Sequence, residues 1–194
     1  MDLLRAYKNL LREFGPQAWW PVKHDFEPKE FEICLGAILT QNTNWKNVEC
    51  TLENLSRNKI LTPEHILETK TGKLEEIIRP SGFYRQKAER LKTFSGFLLT
   101  FGSFQDFTKK VKRKDLLEVK GIGPETCDSI LLYACGRPYF VIDAYTKRFV
   151  RDLGLKTKTD YETLREYFES RLPKDPELYK EFHALIVEWG KRNK

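Results

Sequence analysis

Between Leu116 and Ala134 the chain reads LLEVKGIGPETCDSILLYA, a short apolar helix, a tight glycine turn and a second apolar helix opened by proline. This stretch limits the fold more than any other. Glycines at 121 and 123 are expected to allow positive φ and a backbone lying flat against something bulky. Pro124 suits a first helical position, where a missing N–H costs nothing. The turn then directs unpaired amide N–H groups outward and forms an anion site. Lys120, Arg113 and Lys114 lie close by in sequence, so a phosphodiester fits it.

After Gly136 the apolar run Tyr139 to Ile142 delivers Asp143 to the front of another helix, expected over Ala144 to Leu153. A carboxylate there is ordinarily an N-cap, and spacing alone favours that reading. Elsewhere apolar residues recur at helical spacing: Leu3, Tyr7, Leu10 and Phe14; Phe31, Cys34, Leu35 and Ile38; Val48, Leu52 and Leu55; Ala88, Leu91, Phe94 and Leu98; Leu164 and Phe168; Leu178, Phe182, Leu185, Ile186 and Trp189. Thr62-Pro63 and Leu74 to Ile78 mark two short helices, and Phe101 to Lys112 reads as a polar connector anchored by Phe104 and Phe107. No stretch alternates with period two for long enough to be a strand. An all-α fold follows.

The chain has 194 residues and a formal net charge of +6, enough for one or two compact domains and favourable for polyanions. No apolar run approaches the ~20 residues of a membrane span, and the charged start MDLLRAYKNLLREF does not read as a signal peptide. A cytoplasmic location is the expectation. Cys34, Cys50, Cys127 and Cys135 are scattered without a C-x-x-C pair and read as small apolar core residues.

Taken together, the hairpin Val119 to Cys127 and Ile142-Asp143-Ala144-Tyr145 resemble the helix-hairpin-helix DNA glycosylases of the endonuclease III superfamily. Asp143 lies 18 positions beyond Glu125, which stands where the family pattern carries a lysine. Trp19-Trp20-Pro21, Leu39-Thr40-Gln41-Asn42-Thr43 with Trp45, and the run Arg79 to Leu91 are similar to the 3-methyladenine DNA glycosylase branch. The resemblance covers most of the chain. It implies two helical lobes: a central one over 21–134 that contains the helix-hairpin-helix at 116–134, and a second made of 1–20 with 135–194 that carries the acid. It places DNA across the cleft between them.

On that resemblance Asp143 is the catalytic residue, stabilising an oxocarbenium-like sugar and orienting or deprotonating water. Gln41 and Phe83 form the wedge that fills the gap left by a flipped base. Trp19, Trp20, Pro21, Trp45 and Glu125 are candidates for the base pocket, although single aromatics in a helical protein are ordinarily core and Glu125 by itself suits the positive end of a helix. Lys120, Gly121, Gly123, Thr126 and Lys147 are candidates for the DNA backbone. Arg85, Lys87, Arg90 and Arg148 read singly as solvated charges and as a set as phosphate contacts; His183 reads as a structural histidine.

Glu125 cannot supply the amine of a Schiff base, so a monofunctional glycosylase without lyase activity is implied. A purine methylated at N3 or N7 is cationic and leaves readily, and indole rings would recognise it by stacking and cation–π attraction. The expected activity is hydrolysis of alkylated purines, 3-methyladenine first, from damaged double-stranded DNA by a monomer in base excision repair. A mismatch uracil or thymine glycosylase, or a non-catalytic DNA-binding module, remain open. No cofactor, no metal ligand set and no iron–sulfur cluster are expected; a monovalent cation on the hairpin carbonyls is the one ion the resemblance allows.

Overall fold

The computed structural model describes residues 2–19, 23–154 and 158–193. All regular structure among these residues is helical, and no helix among them is long and apolar enough to cross a membrane. The contacts divide the chain into two compact units, one of Met1–Pro21 with Leu131–Lys194 and one of Val22–Ile130.

The Val22–Ile130 unit is built around α2 (Lys29–Leu39), in which every residue from Phe31 to Leu39 is buried. A helix buried on every face can be stable only with neighbours on every side. α3 (Trp45–Arg57), α6 (Tyr84–Leu99) and α9 (Pro124–Ser129) supply them, while α4 (Pro63–Glu68) and α5 (Thr71–Ile77) pack on α6. Phe101 to Lys112 departs from the expected connector. Ser103 caps Asp106 N and starts α7 (Phe104–Lys110), and α8 (Arg113–Leu117) follows. Phe107 is fully buried against Phe94, Phe97 and Phe101, which makes this segment helical despite its polarity.

The other unit joins α1 (Leu3–Phe14) to α10 (Ala144–Asp152), α11 (Tyr161–Glu169) and α12 (Pro176–Arg192). α12 packs on both α1 and α10. Its core is aromatic: Phe140 stacks on Phe168 with ring centroids 4.2 Å apart, and Tyr179 and Phe182 meet Phe140 edge-on. Asp2, Asp160 and Asp175 each cap the helix that follows through a side-chain oxygen, supplying acceptors that helix starts lack.

The helix opened by Pro124 does not run regularly to Ala134. α9 ends at Ser129, and Ile130–Ala134 form one π-helical turn. Such a turn inserts a residue and swings the following side chains out of α register, which sets the direction of Tyr133. Cys34 and Cys127 are buried as expected of core thiols, whereas Cys50 is exposed. Burial pushes the Cys135 thiol up to about 12.

Candidate active site and hairpin face

Asp143 is the N-cap of α10. Its Oδ1 accepts from Thr146 N at 2.7 Å and from Thr146 Oγ1 at 2.9 Å. The capping role expected from spacing is therefore real, and it uses only one of the two carboxylate oxygens. Oδ2 faces His183 Nε2 at 3.5 Å. Burial works to raise the acid's pKa, but the His183 imidazole and the Thr146 donors outweigh it and hold the carboxyl below the ordinary aspartate value. At neutral pH Asp143 is a carboxylate with a 16% exposed side chain.

His183 lies on α12 and is 4% exposed. Its Nδ1 is 2.7 Å from the Tyr133 hydroxyl, which also reaches the Lys180 carbonyl at 3.4 Å. Burial, and after it the negative charges of Asp143 and Glu181, raise the Tyr133 pKa well above the ordinary phenol value, so the hydroxyl keeps its proton. Trp19 covers this pair, with its ring centroid 5.5 Å from that of His183 and 6.1 Å from that of Tyr133. The segment leading to it is tied down by Gln17, whose backbone N–H donates to Glu181 at 2.6 Å. The structure thus gathers Trp19, Tyr133, Asp143, Thr146 and His183 in one unit. Trp20 and Pro21 lie outside the described residues.

Sequence reasoning placed neither Tyr133 nor His183 beside the acid. A signal existed for His183, since Tyr179, Phe182, His183 and Ile186 share the inward face of α12.

The second unit holds the hairpin. Gly121 has φ +90°, and a Cβ there would come within 2.5 Å of the Arg90 side chain. Gly123 does not share this conformation: at φ −86° and ψ 174° it is ordinary extended backbone, and it serves as the N-cap of α9. Arg113 is not available to an anion as its place in sequence suggested. It forms a two-pronged ion pair with the fully buried Asp128, Nε to Oδ1 at 2.7 Å and a terminal nitrogen to Oδ2 at 3.1 Å, bracing α8 against α9. Lys120 is exposed and paired with Glu89 at 2.7 Å. An exposed pair of this kind is weak and exchanges readily. Beside it a cavity of about 340 Å³ is lined by Gln86, Glu89, Arg90, Lys120 and Gly121.

Gln41 and Phe83 differ sharply. The Gln41 amide donates to the Gly121 carbonyl at 3.1 Å and to Thr126 Oγ1 at 2.9 Å, and its oxygen receives Arg90. Thr126 is buried, so its hydroxyl belongs to this internal network. Phe83 is 61% exposed and has φ +46°. A bulky residue in the left-handed region stores strain of about 1 kcal/mol or more.

Lys87 is a correction to the expected solvated charge. It is fully buried, and its Nζ donates to the Leu39 carbonyl at 2.9 Å and the Ser81 carbonyl at 2.6 Å. It falls one turn before Leu91 on the inward face of α6, which also carries Ala88, Phe94 and Leu98. Burial, followed by repulsion from Arg90, lowers its pKa to about 8. Arg85 lies over the Tyr84 ring, and Arg148 donates to the Gly190 carbonyl and lies over the Tyr145 and Trp189 rings. Lys147 is exposed.

Trp45 opens α3, half-buried, and its side chain hydrogen-bonds Glu49. Glu125 is exposed in the first turn of α9. Among the described residues, no three His, Cys, Asp or Glu side chains are grouped so as to hold a metal ion.

Residues 35–174 match the family model described as the HhH-GPD superfamily base excision DNA repair protein. The chain belongs to this HhH-GPD superfamily. It is 46% identical to the Methanocaldococcus jannaschii protein MJ1434, named provisionally as a DNA repair glycosylase, over 98% of this chain and 87% of the relative. The crystal structure of the H. pylori 3-methyladenine DNA glycosylase MagIII bound to 1,N6-ethenoadenine is similar, with a TM-score of 0.85 and 38% identity, covering 100% of this chain and 97% of that one. A thymine/uracil-DNA glycosylase of Pyrobaculum aerophilum is 28% identical over 93% of this chain and 78% of its own length. The HhH-GPD protein described here is a base excision DNA glycosylase, and DNA is its partner.

Proposed function

We propose that this HhH-GPD protein hydrolyses the N-glycosidic bond of alkylated purines, 3-methyladenine first, in damaged double-stranded DNA, leaving an abasic site. The observation that carries the reading is Asp143: a carboxylate held ionised below its usual range, one oxygen tied to Thr146 and the other directed at His183, whose imidazole lies against the Trp19 indole. The likeness to MagIII over the full chain supports the substrate class.

The chemistry needs little more. As the bond to a cationic purine breaks, positive charge gathers on the sugar, and a fixed carboxylate stabilises it electrostatically. The same group can orient or deprotonate the water that completes hydrolysis. A methylated purine leaves neutral, so no separate acid is required. Trp19, over His183 and Tyr133, offers an indole on which a flipped base can stack, worth about 1–3 kcal/mol per base; Trp20, Pro21 and Trp45 are proposed for the base from the sequence alone. Phe83, exposed and strained, suits insertion into the duplex, and Gln41 would have to leave its internal bonds to join it. Lys120 can exchange Glu89 for a phosphate, with Gly121, Gly123 and the backbone of Thr126 beside it, and Lys147 supplies another exposed cation.

Glu125 at the hairpin position offers no amine, which supports release without strand cleavage. The Val119 and Gly121 carbonyls each accept an N–H, from Ile122 and Gln41, so a monovalent cation would have to share those oxygens; no step depends on one. The protein is proposed to act as a monomer, without a cofactor or iron–sulfur cluster.

The test is incubation of methylated duplex DNA with the protein, chromatography of the freed bases and alkali treatment of the product. Released 3-methyladenine with nicks only after alkali is expected. Release of uracil or thymine alone from mismatched duplexes would favour the second reading, which the 28% identity to the Pyrobaculum enzyme supports. DNA binding with no base released from any duplex would overturn both.

A further inference from the structure

The two oxygens of Asp143 are in unequal company. Oδ1 already accepts two donors from Thr146, so Oδ2 is the oxygen with lone pairs to spare for water and sugar. Next to it is a buried polar atom without a hydrogen bond of normal geometry among the described residues: His183 Nε2, whose nearest charge is Oδ2 itself at 3.5 Å. Leaving a buried donor unmet is costly, and a purely structural histidine would avoid it by turning its ring. The Tyr133 hydroxyl prevents that by holding Nδ1 at 2.7 Å. The Tyr133 hydroxyl has one proton, which can go to Nδ1 at 2.7 Å or to the Lys180 carbonyl at 3.4 Å; the carboxylate 3.5 Å from Nε2 favours the tautomer with its proton on Nε2, in which the hydroxyl donates to the bare Nδ1.

We infer that His183 is a positioning residue for Asp143: its Nε2–H, fixed by the Tyr133 hydroxyl on Nδ1, occupies one side of Oδ2 and turns the remaining lone pair toward the water and the sugar. This rests on Asp143 being the catalytic carboxylate. Thr146 fixes the oxygen that does no chemistry, and His183 fixes the one that does. Trp19 packs over His183 and Tyr133 and limits the room in which their rings can turn. The charged and titratable groups facing the pair are Asp143 at the start of α10, Tyr133 on the π turn and Glu181 on α12, which bears on Tyr133.

The experiment combines single-turnover base release across a pH series with nitrogen NMR of the imidazole in the DNA-free protein. In the wild type the His183 proton should be found on Nε2, alone or in the imidazolium form. A proton on Nδ1 alone would overturn the inference without any variant. His183→Leu should slow release by about tenfold to a hundredfold, as loss of an orienting hydrogen-bond partner does, with unchanged DNA affinity. Its acidic limb should move to higher pH, because burial then raises the Asp143 pKa with less opposition. His183→Gln, whose amide nitrogen reaches the place of Nε2, should recover rate and limb in part. Tyr133→Phe should mix the two tautomers and fall between.

A merely structural histidine would change stability and leave the acidic limb in place. An inactive Asp143→Asn beside a fully active His183→Leu with an unmoved limb sinks this inference alone. A fully active Asp143→Asn sinks the catalytic assignment beneath it as well.

Discussion

Asp143 and Lys87 are both charged groups set among apolar side chains, one in each unit, and they are accommodated in different ways. Lys87 is fully buried and its ammonium is spent on two backbone carbonyls, Leu39 at the end of α2 and Ser81 just before Phe83. Its neighbours are fixed dipoles that cannot change protonation. Asp143 keeps a 16% exposed side chain, and one of its oxygens faces an imidazole nitrogen, His183 Nε2, that makes no hydrogen bond of normal geometry. A charge with all its bonds made to backbone is a brace; a charge with bonding capacity left over can do chemistry. The brace sits under both loops assigned to the wedge, two residues before Gln41 and two before Phe83.

The comparison is broken most directly at the acid. Asp143→Asn retains an N-cap oxygen, and asparagine caps helices about as well as aspartate, so the fold should be little changed. Base release should nonetheless fall by roughly a thousandfold or more, since the fixed negative charge and the base are lost together. Single-turnover assays with thermal unfolding as the control separate the two effects.

Lys87→Met reverses that pattern. It removes the brace and leaves two buried carbonyls without donors, at about 1–3 kcal/mol each, so unfolding in denaturant should reveal a loss of several kcal/mol. The pH dependence identifies the cause. The pKa falls from 10.5 in the unfolded chain to about 8 in the folded protein, so between those values the unfolded state binds more protons and stability rises with pH. The wild type should gain stability over that window and lose it as pH falls through about 8. In Lys87→Met this rise should be missing.

A smaller and more selective effect is expected at Phe83. The ring is 61% exposed, so Phe83→Ala should cost little stability while weakening base flipping by about 1–3 kcal/mol, the value of a stacked base. Phe83→Gly relaxes the φ of +46° and should stabilise the fold by about 1 kcal/mol while flipping is still lost. A fluorescent base beside the lesion reports the flipping, and opposite signs in the two measurements would establish strain kept for function.

How much of this could be read in the chain depends on whether the cause was local. The helices followed from 3.6-residue periodicity, and the Asp143 cap from one carboxylate before an amphipathic run. The Phe104–Lys110 helix was missed because its polar face dominates and only Phe107 is driven fully inward. Lys87 was misread because lysine is rarely buried, although its spacing from Leu91 pointed inward. The Tyr133–His183 contact joins residues fifty positions apart through a π turn that no local pattern announces.

Glu125 tests the comparison from the other side, with the smallest expected effect. It is exposed, it lies in the unit of Lys87 rather than that of Asp143, and its position in the first turn of α9 suits interaction with the helix's positive end. That interaction is worth about 0.3–1 kcal/mol at an exposed site. Glu125→Gln should therefore change single-turnover release by no more than about fivefold, the rate equivalent of the upper figure. A loss approaching that of Asp143→Asn would mean that a second carboxylate shares the chemistry. The division between an acid that reacts and a hairpin face that holds DNA would then have to be given up.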